Sequence, residues 1–193
     1  MSNLKEQFNK QIRKDLKTKL QLKNNFQVPE IKKIVINAGL GEAKDSKEVL
    51  EDAISAIGQI SGQKPRVNKS KKSIAGFKLR EGQIVGASVT LRGQRMYDFL
   101  EKLVKISLPA IRDFRGLSSK SFDQFGNFSL GISDHTIFPE IKYDNAKNPI
   151  SMQVNVNITA KDQNEGKVLL EAFGFPFEKR ASVPNLNSGE ENG

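Results

Sequence analysis

The 193-residue chain carries 31 Lys and Arg against 22 Asp and Glu, a formal net charge of +9, with one histidine and no cysteine or tryptophan. Zero cysteines exclude disulfides, thiolate zinc sites and cysteine nucleophiles, and a single histidine removes most general-base and metal constellations. The cationic excess calls for a polyanionic partner, with nucleic acid and anionic membrane as the two possibilities, while 37 % hydrophobic and 27 % charged residues are globular proportions for one domain with a modest core.

Residues 3–22 place Leu4, Phe8, Ile12, Leu16 and Leu20 at steps of four with Lys and Arg on the other faces, which predicts a basic amphipathic helix. Such a stripe suits docking onto a sheet or lying on an anionic bilayer. "NNFQVPE" ends it, and "IKKIVINAGLG" predicts a strand through Ile31 to Asn37 followed by a glycine turn. Asp45 with Glu48 has the form of a capping box, and Val49, Leu50, Ala53, Ile54, Ile57 and Ile60 continue at helical spacing until Gly62. "QKPRV" and "IVGASVTLRG" predict two strands flanking a long basic loop. Met96, Phe99, Leu100, Leu103 and Val104 mark another helix, and a turn-rich passage surrounds Pro109, Gly116 and Gly126. Strands are expected at "FSLGI" and "SMQVNVNITA". Asp162, Glu165, Val168, Leu169 and Phe173 outline a last helix, stopped by Gly174 and Pro176. Residues 181–193 have no apolar pattern and are expected to be a disordered tail. The intermixed elements fit an α+β fold with a sheet on one side and helices on the other. No run of eighteen apolar residues and no secretory leader is present, so the chain is expected to remain in the cytoplasm.

Three strands alternate in a particular way. Met152, Val154, Val156 and Ile158 face one side, and Gln153, Asn155, Asn157 and Thr159 the other; Ala87, Val89 and Leu91 alternate with Ser88, Thr90 and Arg92, and Ile34 and Ile36 with Val35 and Asn37. The second face is polar and nearly uncharged. It is either an ordinary solvated surface or a docking face, and asparagines, which strands disfavour, point to hydrogen bonding with a partner or a neighbouring loop.

The loop after "QKPRV" carries Lys71, Lys72, Lys78 and Arg80, follows Lys64, Arg66 and Lys69, and meets no acid until Glu81. A charge run of this kind is commonly a solvated face. Its position between two strands, and the presence of Gly76, Gly82 and Phe77, favour contact with RNA, the lysines neutralising phosphates and the ring stacking on a base or ribose. Enzyme motifs fail on inspection. "GLGEAK" has Lys44 where a dinucleotide fingerprint needs its third glycine, "GLSSKS" lacks the second glycine of a phosphate loop, and Asp134 and His135 are adjacent and would diverge.

The blocks "PEIKKIVINAGLGEA", "SGQKPRVNKSKKSIAGFKLREGQIVGASVTLRGQRMYDFLEKL", "LPAIRDFRGLSSKSFDQFGNFSLGI" and "IFPEI" closely resemble, in order, those of the bacterial ribosomal protein L five family, the 5S-rRNA-binding family of the large subunit. The likeness runs from about residue 3 to residue 180, which the resemblance treats as one domain. It implies an α+β protein with a mixed, largely antiparallel sheet, helices packed on one face and a long basic loop between two strands. Enzymatic activity and cofactors are not expected. The resemblance assigns 5S rRNA binding to Asn37, Gln63, Lys64, Arg66, Thr90 and Arg92. It assigns contact with the peptidyl-site tRNA to Lys71, Lys72, Ser73, Gly76, Phe77, Lys78 and Arg80, and a bridge to small-subunit protein S thirteen to the region of Arg112, Asp113, Arg115, Phe138 and Glu140. Implied further partners are 23S rRNA and neighbouring proteins of the central protuberance; a membrane is not among them. The family commonly has Met and Val where Ala38 and Leu40 stand, and Glu-Gln where Asp134 and His135 stand. The competing class is an RNA chaperone or modification-associated factor that binds structured RNA transiently.

Overall fold

The computed structural model describes residues 3–41, 46–141 and 149–178. Five strands, β1 (Ile31–Gly39), β2 (Arg66–Lys69), β3 (Ile84–Leu91), β4 (Phe128–Ile132) and β5 (Met152–Ile158), form one sheet in the order β2-β3-β1-β5-β4. Every strand pair in it is antiparallel, and the fold is α+β as expected. Helices α1 (Asn3–Gln7), α2 (Arg13–Lys19), α3 (Lys47–Ser61), α4 (Gly93–Lys102) and α5 (Gln163–Ala172) pack on one face.

The alternation read from the strands decides which face that is. Ile34, Ile36, Ala87, Leu91 and Val154 are 0 % exposed, and Val89 and Val156 nearly so, all on the helix side. Each fully buried aliphatic side chain contributes roughly 1.5–3 kcal/mol relative to exposure, so the helical layer rests on these positions. Leu50, Ala53, Ile57 and Ile60 of α3, Met96, Phe99 and Leu100 of α4, and Leu169 and Leu170 of α5 supply the facing surface.

The N-terminal helix solves a problem of period. Apolar residues at steps of four drift by about 40° per step around an α-helix of 3.6 residues per turn. A π-helical turn at Phe8–Ile12 separates α1 from α2, with the Arg13 N–H donating to Phe8 O five residues back, and absorbs part of the drift. Leu4, Phe8 and Leu16 stay buried as a result, and Ile12 is partly buried. Phe8 stacks on Phe173 at 5.4 Å and tilts against Tyr97 at 6.3 Å, so the apolar stripe faces the protein interior rather than a bilayer. Among the described residues no helix is long and apolar enough to cross a membrane.

A second π turn, Leu103–Ser107, extends α4, and Leu108 N donates to Leu103 O at 2.9 Å, which brings two fully buried leucines five residues apart onto one face. Boundaries shifted elsewhere. The strand expected at residues 63–67 starts at Arg66 and runs to Lys69, because Pro65 has no N–H for the ladder. The capping-box residue Asp45 lies outside the described residues, and the N-cap of α3 is Ser46, whose side chain makes no capping bond. Gly62, φ 63°, closes α3 in the left-handed conformation. At α5, Asp162 accepts from the Glu165 N–H at 2.9 Å, as its sequence position predicts. Residues 181–193 lie outside the described residues.

Ser107 is 0 % exposed and its hydroxyl has no hydrogen-bond partner among the described residues. Replacing it with alanine removes an unpaired buried polar group, and the variant is expected to be about 1 kcal/mol more stable in urea or thermal denaturation. A loss of stability of that size would contradict the geometry.

Candidate nucleic-acid interface

The face of the sheet opposite the helices is built in cross-strand rows. Arg66 pairs with Ser88, Ser88 with Asn37, Asn37 with Gln153 and Gln153 with Gly131. The next row runs Thr90, Val35, Asn155, Ser129, and Lys33 pairs with Asn157 beyond it. Because side chains alternate with period two, every residue in these rows projects away from the helices. Two amides are held by neighbours: Asn68 Nδ2 donates to Ser88 Oγ at 3.2 Å, and Ser129 Oγ donates to Asn155 Oδ1 at 2.9 Å.

Of the residues expected to meet 5S rRNA, Asn37, Arg66 and Thr90 lie on this face and are exposed. Gln63 is not on a strand; it follows Gly62 and reaches the face sideways, its Nε2 donating to Thr90 O at 3.4 Å while its Oε1 accepts from Arg95 Nη1 at 3.5 Å. Arg92 is exposed just past the end of β3, and Lys64 is exposed ahead of β2. The six therefore gather on the β2–β3–β1 half of the sheet and its rim. Asn68, Ser129 and Lys33 belong to the same face and were not singled out in the sequence. The alternation of Phe128, Ser129 and Gly131 contained the signal for Ser129, whereas a register shift between Ile31 and Lys33 hid Lys33.

Residues 70–83 form a hairpin-like extension of β2 and β3. Ser70 N donates to Gln83 O at 2.8 Å, Ile74 and Leu79 exchange backbone bonds at 3.0 and 3.1 Å, and Ser73 Oγ accepts from Glu81 N at 3.0 Å. A 3-10 turn at Ala75–Phe77 makes the tip, and Lys78 reverses the chain at φ 51°. A left-handed non-glycine residue costs about 1–2 kcal/mol and draws attention to the segment that holds it. Lys71, Lys72, Ser73, Gly76, Lys78 and Arg80 are exposed, and Phe77 is 70 % exposed. The extension joins the start of β3, and the row of Arg66, Ser88 and Asn37 crosses that strand four residues further on, about 14 Å at roughly 3.4 Å per residue, with Arg92 beyond its far end.

The ribosomal protein L5 family matches residues 24–80, and the C-terminal part of the ribosomal L5 family matches residues 84–177. The chain belongs to the ribosomal protein L5 family. Proteins named large ribosomal subunit protein uL5 from Francisella tularensis subsp. novicida, subsp. tularensis and subsp. mediasiatica are each 51 % identical to it over 177 residues, 92 % of this chain and 99 % of theirs. Members of the family are structural ribosomal proteins, and this one is not an enzyme.

The region expected to face the small subunit divides in the structure. Arg112, Asp113 and Arg115 are exposed, with Asp113 in the left-handed region at φ 53°. Phe138 is 0 % exposed and packs on Phe99 at 6.0 Å, so it is a core residue and offers no surface to a partner, contrary to its assignment from the sequence. Lys102 fastens this segment. Its Nζ donates to Ile60 O and to Glu140 Oε1, each at 2.6 Å, and lies 5.7 and 5.8 Å from the rings of Phe99 and Phe138.

His135 is buried, and its Nδ1 accepts from Ile150 N at 3.2 Å, a bond that requires the neutral ring. Burial pushes its pKa below the ordinary value, and this outweighs the opposing pull of the Asp134 carboxylate, whose Oδ1 lies 3.5 Å away. A structural role accounts for both facts. The folded state resists protonation more than the unfolded chain does, so the contribution of His135 is complete above about pH 6.5 and is lost as pH falls from there toward the lower folded-state value. Urea midpoints measured between pH 7.5 and 5 are expected to decline in the unaltered protein, and a His135→Gln variant is expected to flatten the decline over the upper part of that range.

Proposed function

We propose that this protein is a structural constituent of the large ribosomal subunit that binds 5S rRNA through the polar face of its sheet. Its relatives are named as proteins of the large ribosomal subunit, and membership of the same family supports the same place for this chain, in the ribosome and so in the cytoplasm. The 70–83 extension contacts the peptidyl-site tRNA. Arg112, Asp113, Arg115 and Glu140 take part in a bridge to protein S thirteen in the head of the small subunit, and 23S rRNA and other proteins of the central protuberance lie around it.

The observation that carries this reading is the open, nearly uncharged face of the sheet with cations at its rim. Amides and hydroxyls at Asn37, Ser88, Thr90, Gln153 and Asn155 match the 2′-hydroxyls and base edges of a folded RNA, while Lys64, Arg66 and Arg92 supply the salt-sensitive part of the affinity. A chain that bound phosphate only through charge would not require asparagines in strand interiors.

The protein is expected to bind 5S rRNA at least roughly tenfold more tightly than an unrelated hairpin of equal length across a range of salt concentrations. Equal affinity for both would sink the specific claim. Asn37→Ala with Thr90→Ala should weaken 5S binding by roughly tenfold without changing the salt slope, whereas Lys64→Ser should lower the slope by about one.

The separation of the two sites generates a further expectation. Replacing Lys71, Lys72, Lys78 and Arg80 with serine should weaken tRNA binding at the peptidyl site of reconstituted ribosomes and leave 5S rRNA affinity within about twofold. Loss of 5S binding instead would mean that the extension belongs to the 5S site.

A further inference from the structure

The glycines of the sheet are of two kinds. A Cβ added at Gly86 would lie 2.7 Å from the carbonyl oxygen of Ala38, so glycine stands there because β1 and β3 approach too closely for anything else. A Cβ added at Gly39 or Gly131 would meet no atom of the described residues within 4 Å, and neither residue has a left-handed backbone. Glycine in a strand gives up side-chain packing and loses more conformational freedom than alanine on folding. Among the described residues neither a close neighbour nor the backbone conformation requires glycine at either position, and a ligand that approaches the backbone closely would account for both.

Both glycines lie on the polar face. Gly39 is two residues beyond Asn37 on β1, and Gly131 pairs with Gln153 across β4 and β5. With Asn37, Gln153, Ser133 and Ser151 they line an open depression of about 460 Å³ at one end of the sheet. Asn37 and Gln153 are register partners there, and among the described residues neither side chain has a hydrogen-bond partner, unlike Asn68 and Asn155 on the same face.

We infer that this depression seats a ribose–phosphate segment of the bound RNA directly on the backbone at Gly39 and Gly131, with the amides of Asn37 and Gln153 bonding its 2′-hydroxyls and phosphate oxygens. Two unpaired amides beside a floor without side chains meet the needs of a bulky polar backbone at close range. None of the described residues that line the depression is aromatic, so none of them stacks a base. An amide both donates and accepts, which suits a hydroxyl that does the same. The inference rests on the RNA-binding reading and names how part of that face discriminates.

The test compares thermal melting and 5S rRNA binding of the full-length protein with those of Gly39→Ala, Gly131→Ala and the double variant. Gly58→Ala, in α3 on the helix layer where an added Cβ meets Pro65 Cδ at an ordinary 3.5 Å, is the matched control. Melting temperatures of the Gly39 and Gly131 variants should be unchanged or higher, and the double variant should bind 5S rRNA at least roughly tenfold more weakly, with the control unaffected. Lower melting temperatures, or a double-variant affinity within about twofold of the unaltered protein, would overturn the inference while leaving the wider reading intact. Failure of the unaltered protein to prefer 5S rRNA would remove both.

Discussion

The central strands can serve two masters because their side chains alternate strictly. β1 lies between β3 and β5, and its Ile34 and Ile36, 0 % exposed, hold the helical layer in place from one side only. Had Asn37, Asn155 and Gln153 also been large aliphatics, the sheet would have needed a second layer of helices to cover them. Polar residues there leave the other face open, and antiparallel pairing with β3 and β5 aligns them into rows that no single strand could provide. The candidate RNA surface is thus the reverse side of the core, and a one-residue slip in register would exchange the two.

The helical layer carries its own adjustments to that constraint. Two π turns, one between α1 and α2 and one after α4, keep apolar residues on the inner face where a regular helix would rotate them outward. Lys102 then ties the end of α3 to the segment around Glu140 with two short bonds, and its ammonium lies beside two aromatic rings. A lysine with 18 % of its side chain exposed keeps its charge paired and hydrogen-bonded, as partial burial demands. Phe138 anchors the same segment from below, and of the residues expected at the bridge Arg112, Asp113, Arg115 and Glu140 are the exposed ones.

Much of the fold was legible in the sequence for reasons that lie in period and punctuation. Alternation in "SMQVNVNITA" and "GASVTLRG" set both strands and their buried sides, Gly62 set the end of α3, and Asp162 the start of α5. Pro65 delayed the start of β2, and the register shift at Lys33 concealed one residue of the polar face, because neither effect appears until the strand meets its neighbour. The bridge region was the least legible. A phenylalanine beside a proline and a glutamate reads equally well as surface or core, and only the position of Phe99 across from it decided for Phe138.

By itself the sequence determined the class of molecule: a basic, cysteine-free α+β chain with a cationic loop and no catalytic constellation, bearing the ordered motifs of the L5 family. Composition and local spacing suffice for those properties, since each depends on residues near one another in the chain. Which residues share a surface was decided only in three dimensions. Asn37, Ser88, Arg66, Gln153 and Gly131 come from five different strands and one row, and the open space above Gly39 and Gly131 lies where β1 and β4 end and β5 begins. Strand pairing joins residues more than a hundred positions apart, and no local pattern records that distance.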